Sequence, residues 1–260
     1  MGTTSSNQNV QSQRVLVTGG GSGIGAAIAE KFLSEGARVH VCDIAPEALD
    51  AFQKSNPSAT TSVTDIGDAA SIDRLFADVD EKLGGLDVLI NNAGTAGPVA
   101  AAQEITIEDW RACFAVNVDA AFLCAARAFK RMASAGGGSI VNLSSSVVLR
   151  SCLDRAPYIT AKWAIIGLTK SLAHEFASAK IRVNAIAPGA VAGPRMERVM
   201  HAEAAASGKS YDEVRKEAEA EAALNGFCEA SDIADAAYWL STSSASRITG
   251  QLLPVDGYTI

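Results

Sequence analysis

Tyr158 and Lys162 stand four residues apart in a chain of 260 residues. On a helix that spacing puts a phenol and an ammonium on one face, about a turn from each other. A free tyrosine gives up its proton near pH ~10, and a neighbouring cation favours the phenolate, moving proton exchange toward the range where an acid or base catalyst works. The same pair also occurs on helix surfaces with no chemical role, so its meaning depends on what the chain sets beside it. A second group suits phosphate: Thr18-Gly19-Gly20-Gly21-Ser22-Gly23-Ile24-Gly25. Glycines let the backbone approach a pyrophosphate, and a helix opening after them offers free N–H groups at the positive end of its dipole. About twenty residues on, Asp43 is placed to accept hydrogen bonds from an adenosine ribose and to repel a 2′-phosphate. Ser22 stands where a basic side chain could have gripped that phosphate. Both features favour NAD over NADP.

These groups need strands that end together and helices that begin there. The run 14–18 is β-branched and stops at the glycines, and a helical pattern follows from Ala26 to a stop at Gly36. The stretches 38–43, 59–64, 86–90, 139–143, 181–187 and 251–255 read as six further strands. Between them, 69–83 is amphipathic, with Ile72, Leu75, Phe76 and Val79 on one stripe. The stretch 107–132 reads as a long helix with Trp110, Phe114, Val118, Phe122 and Ala125 facing inward, and with Asn117, a poor helix former, in its middle. Pro157 opens the helix that carries Tyr158 and Lys162 and runs to about Ala177. The alternation predicts an α/β fold with a doubly wound, parallel seven-stranded sheet flanked by helices. Asn91-Asn92-Ala93-Gly94 and Ser144-Ser145-Ser146 follow two of the strands. Ligands bind at such ends in open sheets, although asparagines there also shape turns. Residues 193–226, rich in Ala and Glu and carrying Arg195, Arg198 and His201, read as one or two helices inserted after the sixth strand. They are hinged near Gly193-Pro194 and Gly208, either as a solvated excursion or as a lid. With no internal linker or repeat, residues 14–260 form one domain behind a polar tail, 1–13, expected to be disordered.

A net charge of −7 with no basic stripe argues against a nucleic-acid partner. No apolar run approaches the ~20 residues that span a bilayer, so no membrane partner is expected. The five cysteines are scattered, form no CxxC and lie away from the three histidines. Neither a metal site nor a disulfide framework is expected, and the default compartment is the cytoplasm. Cys152, close before Tyr158, reads as a pocket-wall or packing residue.

From Arg14 to Gly257 the chain resembles the short-chain dehydrogenase/reductase family in its single-domain form. The motifs are Thr18-Gly-x-x-x-Gly-x-Gly25, Asn91-Asn-Ala-Gly94, Asn117, a serine before the tyrosine, Tyr158-x-x-x-Lys162 and Pro188-Gly189. The resemblance implies a Rossmann-type fold and an NAD-dependent oxidoreductase that interconverts a secondary alcohol and a ketone. It implies that Tyr158 is the general acid/base and that Lys162 tunes it and binds the nicotinamide ribose. Ser145 would orient the carbonyl oxygen, and Asn117 would hold a relay water. It further implies that Gly19, Ser22, Gly23, Ile24 and Gly25 line the pyrophosphate, Asp43 the ribose, and Asp65 and Ile66 the adenine. Asn91, Ala93 and Gly94 would meet the adenosine side, and Pro188, Gly189 and Val191 the nicotinamide edge. Family relatives pair long helices across a two-fold axis, which implies a homotetramer or homodimer. The threonine often found after Pro188-Gly189 is absent; Ala190-Val191-Ala192-Gly193-Pro194 stands there.

The substrate is read only as a small alcohol or ketone: a secondary alcohol, a sugar-like or cyclic polyol, or a diol. Arg150, Arg155 and Arg195 either face solvent or greet an anionic or strongly polar substrate. Two rival readings are a 3-oxoacyl thioester reductase using NADPH, against which Asp43 counts, and a non-catalytic NAD-binding protein.

Overall fold

The computed structural model describes residues 13–150 and 153–258. The expected N-terminal tail, apart from Gln13, and Cys152 lie outside them, as does the side chain of Arg195. Seven strands form one parallel sheet: β1 Arg14–Thr18, β2 Arg38–Asp43, β3 Thr60–Val63, β4 Val88–Asn91, β5 Gly138–Leu143, β6 Ile181–Pro188 and β7 Leu252–Val255. Their spatial order is β3-β2-β1-β4-β5-β6-β7. Connection therefore reverses between β1 and β4, and in such sheets the ligand crevice opens at the carboxyl ends of the strands flanking that reversal.

The strands read as near-continuous apolar runs because both faces are covered. Leu16, Leu89 and Ile140 point to one face, against the helices α3 Ala69–Leu83, α5 Ala120–Ser134 and α6 Ala156–Glu175. Val15, Val17, Val88, Ile90 and Val141 point to the other, against α1 Gly23–Ser34, α2 Pro46–Ser55 and α9 Ala230–Ser241. Successive residues thus serve opposite layers, as the strand pleat requires. Helix α2 had not been read from the sequence. Its signals are a proline in the first turn and a two-residue apolar stripe, Leu49 and Phe52, both buried.

The long helix differs from expectation in two ways. It begins as α4 Ile107–Phe114, widens to a π turn over Ala115–Asp119, and continues as α5. Its buried side carries Cys113, Asn117, Ala121, Cys124, Ala125, Ala128 and Met132, one position off most of the expected aromatic stripe. Small side chains let the helix lie close to the sheet, while Phe122 is turned outward and 48% exposed. Ile107–Ser134 is, contrary to the sequence reading, long and apolar enough by length and composition to cross a membrane. In this structure it packs against α3, α6 and the sheet.

The excursion after β6 consists of α7 Pro194–Ser207 and α8 Tyr211–Ala220. Gly193 and Gly208, at positive φ of 135° and 72°, form the two joints, and a capping box at Ser210 and Glu213 starts the second helix.

Candidate active site

A cleft of about 620 Å³ opens at the reversal between β1 and β4, a volume ordinary for a small-molecule or cofactor site. Its floor is the glycine turn. A side chain at Gly25 would lie 2.2 Å from the Gly19 carbonyl oxygen, so only glycine lets α1 start this close to the end of β1. Thr18 and Asn92 hold the turn in place. The Thr18 hydroxyl accepts from the backbone N–H groups of Asn92 and Ala93, each at 3.1 Å. Asn92 Nδ2 donates to the carbonyls of Thr18 and Gly19 at 3.0 and 2.8 Å.

Gly19, Ser22, Gly23, Ile24 and Gly25 line the cleft, as do Asp43, Asp65, Ile66, Ala93, Gly94 and Val191. Asp43 is fixed by two backbone donors, Gly21 N–H to Oδ2 at 3.0 Å and Ala45 N–H to Oδ1 at 3.1 Å. Each carboxylate oxygen keeps a lone pair for a further donor. Cys42 also touches the cleft, but burial pushes its thiol up to about 12, so it stays protonated.

The Asn91 side chain turns away from the cleft. It is buried in the sheet, donating to Asn142 Oδ1 at 2.9 Å and to the Ala121 carbonyl at 3.2 Å. The pleat explains the exchange, since Asn91 and Asn92 point to opposite sides and Asn92 is the one that reaches the turn. Pro188 and Gly189 also stand outside the cleft lining. Gly189 instead packs closely on Asp256, where an added Cβ would lie 2.7 Å from its Cα. The stretch Val191 to Pro194 forms the cleft wall in their place. Ile44, Thr64, Asn92, Val116, Arg198 and Ala230 also line the cleft and carry no assignment from the sequence. The signals available were an apolar residue directly after Asp43 and a cation one turn beyond the Gly193-Pro194 break.

Tyr158 and Lys162 lie in α6, which starts beside the end of β5. Lys162 is buried, and its Nζ donates to the Leu143 carbonyl at 2.9 Å. Ser144 Oγ donates to the Lys162 carbonyl at the same distance. These two bonds clamp α6 to the strand end, and Ser145 follows at once, half-buried, capping a 3₁₀ turn over Ser146–Leu149 with Oγ 3.4 Å from the Val147 nitrogen. Two cations lie over the Tyr158 ring, Arg155 Cζ at 4.8 Å and Lys162 Nζ at 5.7 Å from its centroid.

Asn117 reaches this group from the π turn, a helix distortion often found at functional sites. Its Nδ2 donates to the carbonyls of Thr95 and Cys113 at 3.0 and 2.9 Å. Its Oδ1 is buried with no hydrogen-bond partner among the described residues. A Cβ added to Gly94 would lie 2.8 Å from Asn117 Oδ1 and 3.4 Å from Lys162 Nζ. Acceptor, ammonium and cleft wall therefore meet at one point. The residues fit a dinucleotide on three counts: a glycine cradle closed to a side chain at Gly19 and Gly25, a carboxylate with acceptor capacity to spare, and an unsatisfied buried oxygen beside a lysine.

Of the arginines considered for substrate, Arg150 is engaged by Glu221 at the end of α8, 2.6 Å away. Arg155 rests on Tyr158, with one nitrogen 3.4 Å from the Ala96 carbonyl and its buried Nε without a partner among the described residues.

A family model described as enoyl-(acyl carrier protein) reductase matches residues 19–259. D-threitol dehydrogenase of Mycolicibacterium smegmatis is 34% identical over 251 residues, covering 94% of this chain and 92% of that protein. An NAD⁺-bound xylitol dehydrogenase structure superposes with a TM-score of 0.88 at 28% identity, covering 94% of this chain and 98% of the other. An actinorhodin polyketide ketoreductase variant solved with NADPH gives 0.90 at 32% identity, covering 96% and 97%. The chain belongs to the short-chain dehydrogenase/reductase family and is a nicotinamide-dependent oxidoreductase of the kind that interconverts secondary alcohols and ketones.

Proposed function

We propose that this protein uses NAD in preference to NADP to oxidise a secondary hydroxyl of a polyol, diol or cyclic alcohol, or to reduce the matching ketone. The observation that carries the reading is the placement of Lys162. Its ammonium is anchored on the strand end, faces the cleft wall at Gly94 beside the bare Asn117 oxygen, and sits under the Tyr158 ring. Gly19, Ser22, Gly23, Ile24 and Gly25 hold the cofactor's pyrophosphate, Asp43 its adenosine ribose, Asp65 and Ile66 its adenine. Ala93 and Gly94 form the adjoining wall, and Val191 lies at the nicotinamide end with Pro188 and Gly189 behind it. The bound nicotinamide supplies the hydride acceptor or donor.

The chain's own residues supply position and protons. Ser145 holds the substrate oxygen, where negative charge grows as a carbonyl is reduced, and a donor aimed at that oxygen lowers the barrier. Tyr158 Oη gives that oxygen its proton or takes it from the alcohol. Lys162 places a positive charge beside the phenol while it does so. Asn117 Oδ1 continues the path from Lys162 toward solvent as a water-holding acceptor.

The polyol substrate class is supported by the threitol and xylitol specificities named for two relatives, and NAD preference by the Asp43 carboxylate. The likeness to a polyketide ketoreductase with NADPH favours a second reading, reduction of a 3-oxoacyl thioester, and the same carboxylate weighs against it. In the proposed arrangement residues 14–260 work as one domain and α7–α8 cover the site as a lid. Partly exposed Ile107, Phe122 and Trp163 on the long helix and α6 support association into a homotetramer or homodimer, which sedimentation velocity tests. Buried free thiols at Cys42, Cys113 and Cys124 suit a reducing cytoplasm.

The decisive test is a screen of secondary alcohols and sugars with NAD, read as NADH absorbance, on wild type and Tyr158→Phe. The variant is expected to lose roughly 10²- to 10⁴-fold in kcat while still binding NADH. Full turnover by the variant sinks the assignment.

A further inference from the structure

Among the described residues the cleft lining carries three charged side chains: Asp43 and Asp65 toward the adenosine end, and Arg198 on α7. A dinucleotide brings two phosphate charges into this cleft. The glycine turn answers them with backbone N–H groups and a helix dipole worth only about half an elementary charge. No basic side chain stands in that turn, where Ser22 occupies the exposed position. Among the described side chains of the lining, counter-charge therefore comes from Arg198.

Resting on the reading above that the cleft holds a nicotinamide dinucleotide, we propose that Arg198 is a cofactor-binding residue that reaches across the cleft to the pyrophosphate. Three features fit the role. Arg198 is exposed, and its Nε donates only within its own helix, to the Pro194 carbonyl at 3.2 Å. The neighbouring carboxylate, Glu197, is occupied by the Tyr211 hydroxyl and lies 3.8 Å from Arg215, so the guanidinium keeps donors to give. The joint before α7 is open, since no atom lies within 4 Å of a Cβ placed on Gly193. The wall that α7 continues, Ala190-Val191-Ala192-Gly193-Pro194, has no side-chain donor of its own, and Arg198 lies one turn further on. A planar guanidinium suits two phosphate oxygens at once, which a lysine cannot match.

The test measures binding to the full chain by titration calorimetry, with NADH, ADP-ribose and adenosine as probes and wild type, Arg198→Ala and Arg198→Lys as proteins. Arg198→Ala is expected to weaken NADH and ADP-ribose by roughly 5- to 20-fold, the factor for one charge-assisted hydrogen bond at a partly exposed site. Arg198→Lys should recover part of the loss, adenosine should bind as before, and added salt should weaken NADH less in the alanine variant than in wild type. Dissociation constants for NADH and ADP-ribose within twofold of wild type overturn the inference and leave the cofactor reading intact. Loss of NADH affinity with ADP-ribose unchanged moves the contact to the nicotinamide and also overturns it. If wild type binds neither NADH nor NADPH, the cofactor reading itself fails, and the inference with it.

Discussion

Replacing Asp43 with asparagine tests the cofactor preference with almost no change of shape. In the native protein both carboxylate oxygens accept a backbone N–H, from Gly21 and from Ala45. Asparagine keeps one acceptor and turns an NH₂ toward the other donor, so one bond of about 1 kcal/mol is lost and the fold survives. The larger effect is on the ligand. A unit charge about 4 Å from another is worth about 1 kcal/mol in water and about 4 kcal/mol near a protein surface. Asp43 is half-buried at the rim of an open cleft, which puts its repulsion of a 2′-phosphate between these limits, at roughly 2 kcal/mol. Losing the charged acceptor for the ribose hydroxyls costs NAD a further 1–2 kcal/mol or so. Together these make about 3–4 kcal/mol, and at about 1.4 kcal/mol per tenfold the ratio of kcat/KM for NADPH over NADH should rise roughly 100- to 700-fold in Asp43→Asn. The assay is initial-rate reduction of one accepted ketone with each cofactor. A change below about threefold, or a wild-type enzyme that already prefers NADPH, refutes the role given to this carboxylate.

Gly94→Ala should lower turnover by roughly 10- to 100-fold with little loss of thermal stability. The added methyl collides with Asn117 Oδ1 rather than with the sheet, and small displacements of catalytic groups are costly; unchanged kcat counts against the Asn117–Lys162 relay. His40 gives a pH prediction. Burial lowers its pKa to about 4, with Asp78 opposing and Lys82 assisting, and its ring nitrogens lie 2.7 and 3.0 Å from the hydroxyls of Thr60 and Ser62. The fold therefore favours neutral His40. That contribution is complete above the unfolded value near ~6.5 and is lost as pH falls through about 4, up to about 3 kcal/mol in all. Urea midpoints should fall more between pH 7.5 and 4.5 for wild type than for His40→Gln, and parallel curves would contradict this.

How much of this could be read beforehand depended on how local the signal was. The strands were legible nearly to the residue because each is an apolar run between turn residues, and the joints at Gly193 and Gly208 because helix ends announce themselves. The glycine turn and the Tyr158–Lys162 face needed only short-range spacing. Asn91 and Asn92 were harder. Which amide meets the cleft and which is consumed inside the sheet depends on the pleat of β4 against β5 and α5, and no single stretch encodes that. The inward face of the long helix is hidden for a related reason. Large aromatics are the residues expected to face a core, whereas this sheet accepts alanine and cysteine at close range and leaves Phe122 outside. Arg198 carries no motif at all; only folding sets it in the same cleft lining as the glycine turn.

The π turn at Ala115–Asp119 has a consequence for how this chain can change. Cys113, Asn117, Ala121 and Ala125 recur every four residues on the buried side. In an unbroken α-helix each such step over-rotates by about 40°, so the row would wind away from the sheet. The widened turn absorbs that drift and acts as a phase shifter between the two halves of the helix. Deleting one residue from it would restore tighter hydrogen bonding, yet it would swing one half by about 100° against the other. Either Asn117 would leave its place beside Gly94 and Lys162 or the alanine face would leave the sheet. Substitutions at positions other than Asn117 are open to this segment, but length changes are not: the frame of the helix and the position of the Asn117 oxygen are one variable.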